Sequence, residues 1–174
     1  MSVAQTKSRL SIFRILAIAL VVIAIGWIVA RMAFPNRPTI FASVPPEGIG
    51  VRTGQLAPCP STPNCLSSQS SDPEHYIAPL SANEATEEQF SSLKSLIQQR
   101  DRAKIVAETD NYLYAEFTSP WMGFVDDVEF VLNSQGKSID VRSASRLGES
   151  DLGANRKRVE TIRQQLLQGK GSEA

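Results

Sequence analysis

The chain has 174 residues, with 18 Lys+Arg against 18 Asp+Glu and a formal net charge of zero. That length fits one domain with appendages. The even charge argues against a nucleic-acid partner, because nucleic-acid binders carry a basic excess. Hydrophobic residues are present in ordinary proportion, but many of them fall within the first 34 positions.

Residues 15–30 read ILAIALVVIAIGWIVA and contain no charge. Ile12 and Phe13 extend the run on one side, and Met32, Ala33 and Phe34 on the other. The span 11–34 is long enough to cross a bilayer core of roughly 30 Å and is expected to be a transmembrane anchor. Arg14 and Arg31 bracket its centre, where long side chains reach the headgroups, and Trp27 and Phe34 lie where interfacial aromatics are favoured. Lys7, Arg9 and Arg14 supply the basic stretch that an anchor and a cleaved signal both need. The long apolar run, and Arg31 where a cleavage site would fall, favour an uncleaved signal anchor. Residues 1–10 are then a cytoplasmic tail. The remainder faces the periplasm or a lumen.

Pro35, Pro38, Pro45 and Pro46 break any helix, so residues 35–55 read as an extended Pro-rich linker. Residues 56–168 form the expected domain, and 169–174 a tail. Within it, Ser81-Ala82-Asn83-Glu84 matches a capping box, predicting a helix to about Arg100 with Phe90, Leu93, Leu96 and Ile97 as its apolar stripe. Strands are predicted at 104–108, 112–119, 125–132 and 138–145, with short turn-rich connections suited to hairpins. A final helix is expected over 152–167, capped by Ser150 or Asp151, with Leu152, Val159, Ile162 and Leu166 along one side. The fold class is α+β: a four-stranded antiparallel meander sheet with two flanking helices on one face, preceded by one transmembrane helix. Alternation turns Leu113, Ala115, Phe117, Val128, Phe130, Leu132, Ile139 and Val141 inward. It turns Tyr112, Tyr114, Glu116, Asp127, Glu129, Asp140, Arg142 and Arg146 outward.

Few residues carry recognisable chemistry. Cys59 and Cys65, in CPSTPNC, are close enough in sequence to pair outside the cytoplasm; buried free thiols or a reactive thiol are the alternatives. Closing so short a loop stabilises by roughly 2–3 kcal/mol in the chain-entropy account. His75 is the chain's one histidine, so an ordinary zinc site is not expected. No nucleophile-elbow, phosphate-loop or HExxH pattern occurs, and neither metal nor cofactor is expected. Asp126 and Asp127 are neighbours on a strand and point to opposite faces, so they do not make a carboxylate pair. Asp127 and Glu129 share a face, where they can meet Arg142 across the hairpin. Arg142, Arg146, Asp151, Asn155 and Arg156 gather where a strand hands over to a helix. A helix start offers free N–H groups to an anion and arginines add bidentate contacts; the competing reading is an internal Arg–Asp network.

Three stretches, CPSTPNCLSSQ, AEFTSPWMGFVDDVEFVL and IDVRSASRLGESDLGANRKRVETIR, resemble the family called domain of unknown function 1499. The resemblance covers about residues 56–167. It implies the domain boundaries and, from the family's occurrence in bacteria and plastids, a plasma (inner) or thylakoid membrane. It implies no catalytic residue. The leading expectation is a membrane-anchored binding or accessory domain that engages a membrane protein or a small anionic ligand. The alternative is a hydrolase-like or thiol-dependent enzyme using Cys59 or Cys65 with His75.

Overall fold

A computed structural model of the chain describes residues 3–35, 37–81, 85–133, 135 and 137–171. It separates into two compact units, residues 1–37 and 38–174. The first holds α1 (Val3–Ala33), within which Ser11–Ala33 is long and apolar enough to cross a membrane. Arg31, in its last turn, folds back on the chain. Its guanidinium donates to the carbonyls of Pro35 and Arg37, both at 3.0 Å. A cation in the last turn of a helix is also favoured by the negative end of the helix dipole.

The second unit contains β1 (Cys65–Ser67), α2 (Glu87–Gln98), β2 (Ala103–Glu108), β3 (Tyr112–Thr118), β4 (Val125–Asn133), β5 (Ser138–Ser145) and α3 (Ala154–Gly171). The sheet order is β1-β5-β4-β3-β2, antiparallel throughout. The predicted meander is there, but the sheet has five strands instead of four. The added strand, Cys-Leu-Ser, is too short to show any alternation, and it pairs at the edge of β5.

Side chains of period two put Leu113, Ala115, Phe117, Val128, Phe130, Leu132, Ile139 and Val141 on one face, as read from the sequence. Phe90, Leu93 and Ile97 of α2 and Val159, Ile162 and Leu166 of α3 close over them. Two helix starts differ from expectation. Ala82, Asn83 and Glu84 of the capping box lie outside the described residues, and Thr86 is the cap of α2: its hydroxyl accepts the Gln89 N–H at 3.2 Å. Leu152 is not part of the α3 stripe. It precedes the helix at φ +52° and is 96% exposed, because the cap geometry set by Asp151 turns it out.

The largest correction concerns the other face of the sheet. Tyr114, Asp127, Glu129, Asp140 and Arg142 point away from the helices, as alternation requires, yet all are buried. Much of their cover is the stretch expected to be a linker. Thr39 Oγ1 donates to the Met122 carbonyl at 2.8 Å, Arg146 donates to the carbonyls of Ala42 and Ser43, and the Gly50 N–H donates to Glu129 at 2.7 Å. An irregular, proline-broken chain has spare carbonyls and amides, and a polar sheet face can take them up. The domain is therefore three layers: helices, sheet and coil.

Candidate functional site

Between coil and sheet lies a set of buried charges. Glu129 and Arg142 are register partners on β4 and β5, 3.3 Å apart. Glu129 is 0% exposed and also accepts from the Tyr112 hydroxyl at 2.8 Å and from the Gly50 N–H. Gly50 sits at φ +116°, a conformation glycine tolerates and other residues rarely adopt.

One strand step along, Asp127 binds Arg146 instead. Nε donates to its two oxygens at 3.1 and 2.9 Å, and Nη2 donates to Oδ1 at 2.6 Å. Nη2 also reaches Glu116 at 2.5 Å and the Tyr114 hydroxyl at 3.2 Å, and Tyr114 donates to Asp127 at 2.6 Å. Burial works against the charge on Arg146, but its hydrogen bonds to Asp127 and Glu116 outweigh that and hold its pKa above the ordinary value. Arg146 thereby joins β3, β4, β5 and the coil backbone, and its donors are consumed internally.

Asp126 and Asp127 do diverge. Asp126 faces the helices and pairs with Arg158 of α3, which also donates to Ser143 Oγ and Asn155 Oδ1 and lies over the Phe117 ring. Asn155 is completely buried. Its amide nitrogen donates to the Asn64 carbonyl and to Ser145 Oγ, both at 3.0 Å, and its oxygen accepts from Ser143 at 2.6 Å. Asp151 fills the start of α3 as a cap, accepting from the N–H of Asn155 at 2.7 Å and of Gly153 at 3.0 Å. Arg156 lies apart, exposed, on the Tyr76 carbonyl. The seven residues singled out from the sequence thus fall into three places: Asp127, Glu129, Arg142 and Arg146's network under the coil, Asp151 and Asn155 at the helix start, and Arg156 on the surface.

Sequence reasoning missed the roles of Tyr112, Tyr114 and Glu116. The signal was available, since they alternate along β3 on the face that carries Asp127 and Glu129. Both tyrosine hydroxyls are pushed well above their ordinary pKa, first by burial and then by the adjoining carboxylates, Glu129 for Tyr112 and Asp127 for Tyr114. The sign of the consequence is fixed. The unfolded chain loses these protons near pH 10, while the folded chain keeps them, so stability falls as pH rises above 10. Each tyrosine contributes a slope of at most about 1.4 kcal/mol per pH unit. Urea unfolding between pH 9 and 11 should show this loss, and Tyr112→Phe with Tyr114→Phe should flatten it.

Arg142 differs from Arg146. Its side chain is 7% exposed, and its Nε is buried with no hydrogen-bond partner. It lines two neighbouring clefts under the coil, one of about 650 Å³ and one of about 470 Å³. The larger is bounded by Glu47, Gly50, Arg52, Pro58 and Cys59. Cys59 and Cys65 form a disulfide, Sγ–Sγ 2.02 Å, beside it. His75 is buried, with Nδ1 2.9 Å from the Cys65 carbonyl. Among the described residues no three His, Cys, Asp or Glu side chains converge on a metal position.

The family model described as protein of unknown function (DUF1499) matches residues 55–166. This chain belongs to that family. The match spans the sheet, α2, most of α3 and the disulfide, and it begins after the residues of the coil that contact Arg146 and Glu129. No curated protein and no solved structure matches the chain.

Proposed function

We propose that this is a membrane-anchored accessory domain, held by Ser11–Ala33 on the outer or lumenal side of a plasma or thylakoid membrane, that binds a small anion under its coil layer. The observation that carries the reading is Arg142: a guanidinium with an unused, buried donor on the wall of a cleft large enough for a small molecule. A buried donor without a partner costs on the order of 1–3 kcal/mol, a cost that an anionic ligand relieves. Arg52 adds a second cation to the wall, and Glu47 sets a carboxylate against it, so recognition depends on Arg142's directional donors more than on net charge.

The thiol-enzyme reading has one point in its favour. Cys59 and His75 line a common cleft of about 530 Å³. With both sulfurs bonded to each other, thiolate chemistry there would have to begin with reduction. Anion binding needs no such step.

The full chain in nanodiscs should melt at a higher temperature in the presence of inorganic phosphate or acetate. Occupancy at a hundred times the dissociation constant corresponds to about 2.7 kcal/mol. Arg142→Met paired with Glu129→Gln removes both members of the ion pair, so no carboxylate is left buried alone, and it should abolish the anion shift. Arg142→Lys should weaken it. A double variant that still responds, or a native chain that responds to neither anion, would overturn the proposal.

A further inference from the structure

Among the described residues of the 38–174 unit, eleven large hydrophobic side chains are exposed, and six of them collect at one end of the sheet. This is the end where β3 finishes and β4 begins, Thr118 pairing with Val125, and where β5 leaves the sheet, the Arg146 N–H donating to the Val125 carbonyl. Trp121, Met122 and Phe124 stand on the β3–β4 loop, and Leu147 and Leu152 on the loop that follows β5. Ile40, 88% exposed, joins them because Thr39 is tied to Met122.

The loop that carries the aromatics is built to hold its shape. The Ser119 N–H donates to the Phe124 carbonyl at 2.8 Å, and Ser119 Oγ accepts the Phe124 N–H at 2.9 Å. Gly123 turns the chain at φ +75°, where a Cβ would come within 2.7 Å of the Thr39 side chain. Phe41 packs on Phe124 with ring centroids 5.3 Å apart. Trp121 is nevertheless 58% exposed. A fixed loop that presents Trp, Met and Phe to solvent beside Ile and Leu is unusual for a wholly aqueous surface. Tryptophan in particular favours the boundary between headgroups and acyl chains.

Chain length supplies the occupant. Thr39, pinned at this end, is six residues beyond Ala33, the last residue of the apolar span. Six residues reach at most about 20 Å. Wherever the span leaves the hydrocarbon, this end of the domain is confined near the headgroups. Arg102 is exposed where its carbonyl accepts the Thr118 N–H, but Glu149 and Asp151 on the loop after β5 offset it, so insertion would be driven by apolar area.

We infer that the loop 119–124, with Ile40, Leu147 and Leu152, docks on the lipid surface of the bilayer that holds the anchor. The inference rests on the anchor reading proposed above. The test uses the full chain in phosphatidylcholine vesicles brominated at shallow or deep acyl positions. The chain has two tryptophans, so Trp27→Phe leaves Trp121 as reporter and Trp121→Phe leaves Trp27. Trp121 should emit to the blue of its emission in water and be quenched most by the shallow bromines, consistent with a depth of about 5–10 Å. If Trp27 is quenched by brominated lipid while Trp121 is not, and iodide reaches Trp121, the docking is wrong and the anchor stands. If Trp121 is shielded from iodide yet blind to bromine, a second copy or another protein covers the patch, and lipid docking is again wrong. If Trp27 is blind to every brominated lipid, the anchor reading fails and takes the docking with it.

Discussion

Arg146→Met should destabilise the domain by about 3–5 kcal/mol, the cost of stranding a buried carboxylate. Two carboxylates are stranded in this case. Asp127, 1% exposed, loses its bidentate partner, and Glu116 loses the same guanidinium. The Ala42 and Ser43 carbonyls lose a donor too, so the coil should loosen from the sheet. Urea unfolding followed by circular dichroism would measure the loss. Adding Asp127→Asn and Glu116→Gln to Arg146→Met should recover part of it, since the charges left behind cause most of the damage. Recovery distinguishes an electrostatic cause from a packing defect. Arg156→Ala is the contrast. That side chain makes one exposed contact with the Tyr76 carbonyl, and its loss should change stability by no more than about 0.5 kcal/mol. Equal effects at the two arginines would contradict the division drawn here between internal and surface arginines.

Asn155→Ala should cost about 3 kcal/mol. Four hydrogen bonds disappear together: those to the Asn64 carbonyl and Ser145 Oγ, and those received from Ser143 Oγ and Arg158. Each is worth about 0.5–1.5 kcal/mol net, and buried groups left without partners raise the sum. The backbone cap from Asp151 survives, because it takes the Asn155 N–H and not the side chain. The helix should therefore persist while its hold on the approach to β1 weakens. Amide exchange should quicken at Cys65 to Ser67 more than in the middle of α3. Uniform quickening across the domain would mean that Asn155 stabilises the whole fold and not this junction.

The sequence disclosed the parts of the fold that obey a simple period. The apolar sets of β3, β4 and β5 alternate without a break, and Phe90, Leu93 and Ile97 recur at helical spacing, so strands, helices and core could be read directly. β1 escaped because three residues carry no period. Leu152 misled because helical spacing says nothing about a left-handed turn just before a cap. The coil was the deepest difficulty. A proline-broken stretch looks the same whether it hangs free or is docked, since its hydrogen bonds use backbone atoms that every residue possesses. The clue lay elsewhere, in a polar sheet face whose two arginines match two of its four carboxylates, Arg142 in register with Glu129 and Arg146 bound to Asp127. On a solvated face such matching brings little, because exposed pairs contribute about 0–1 kcal/mol. The candidate site was legible as a cluster of residues and illegible as geometry. Nothing in the sequence separates Arg146, whose donors are consumed, from Arg142, which retains an unused one.

The coil also separates two boundaries that are easily taken for one. The family region begins at residue 55, whereas Ala42, Ser43 and Gly50, the residues that satisfy Arg146 and Glu129, all lie upstream. A fragment cut to the family region would keep every strand, α2 and most of α3, yet it would wet a layer of charges that the intact domain keeps dry. Family edges mark where residue identity is shared. The edge of the cooperative unit is set by where the last buried polar group finds its partner, and here that lies a dozen or so residues nearer the N-terminus.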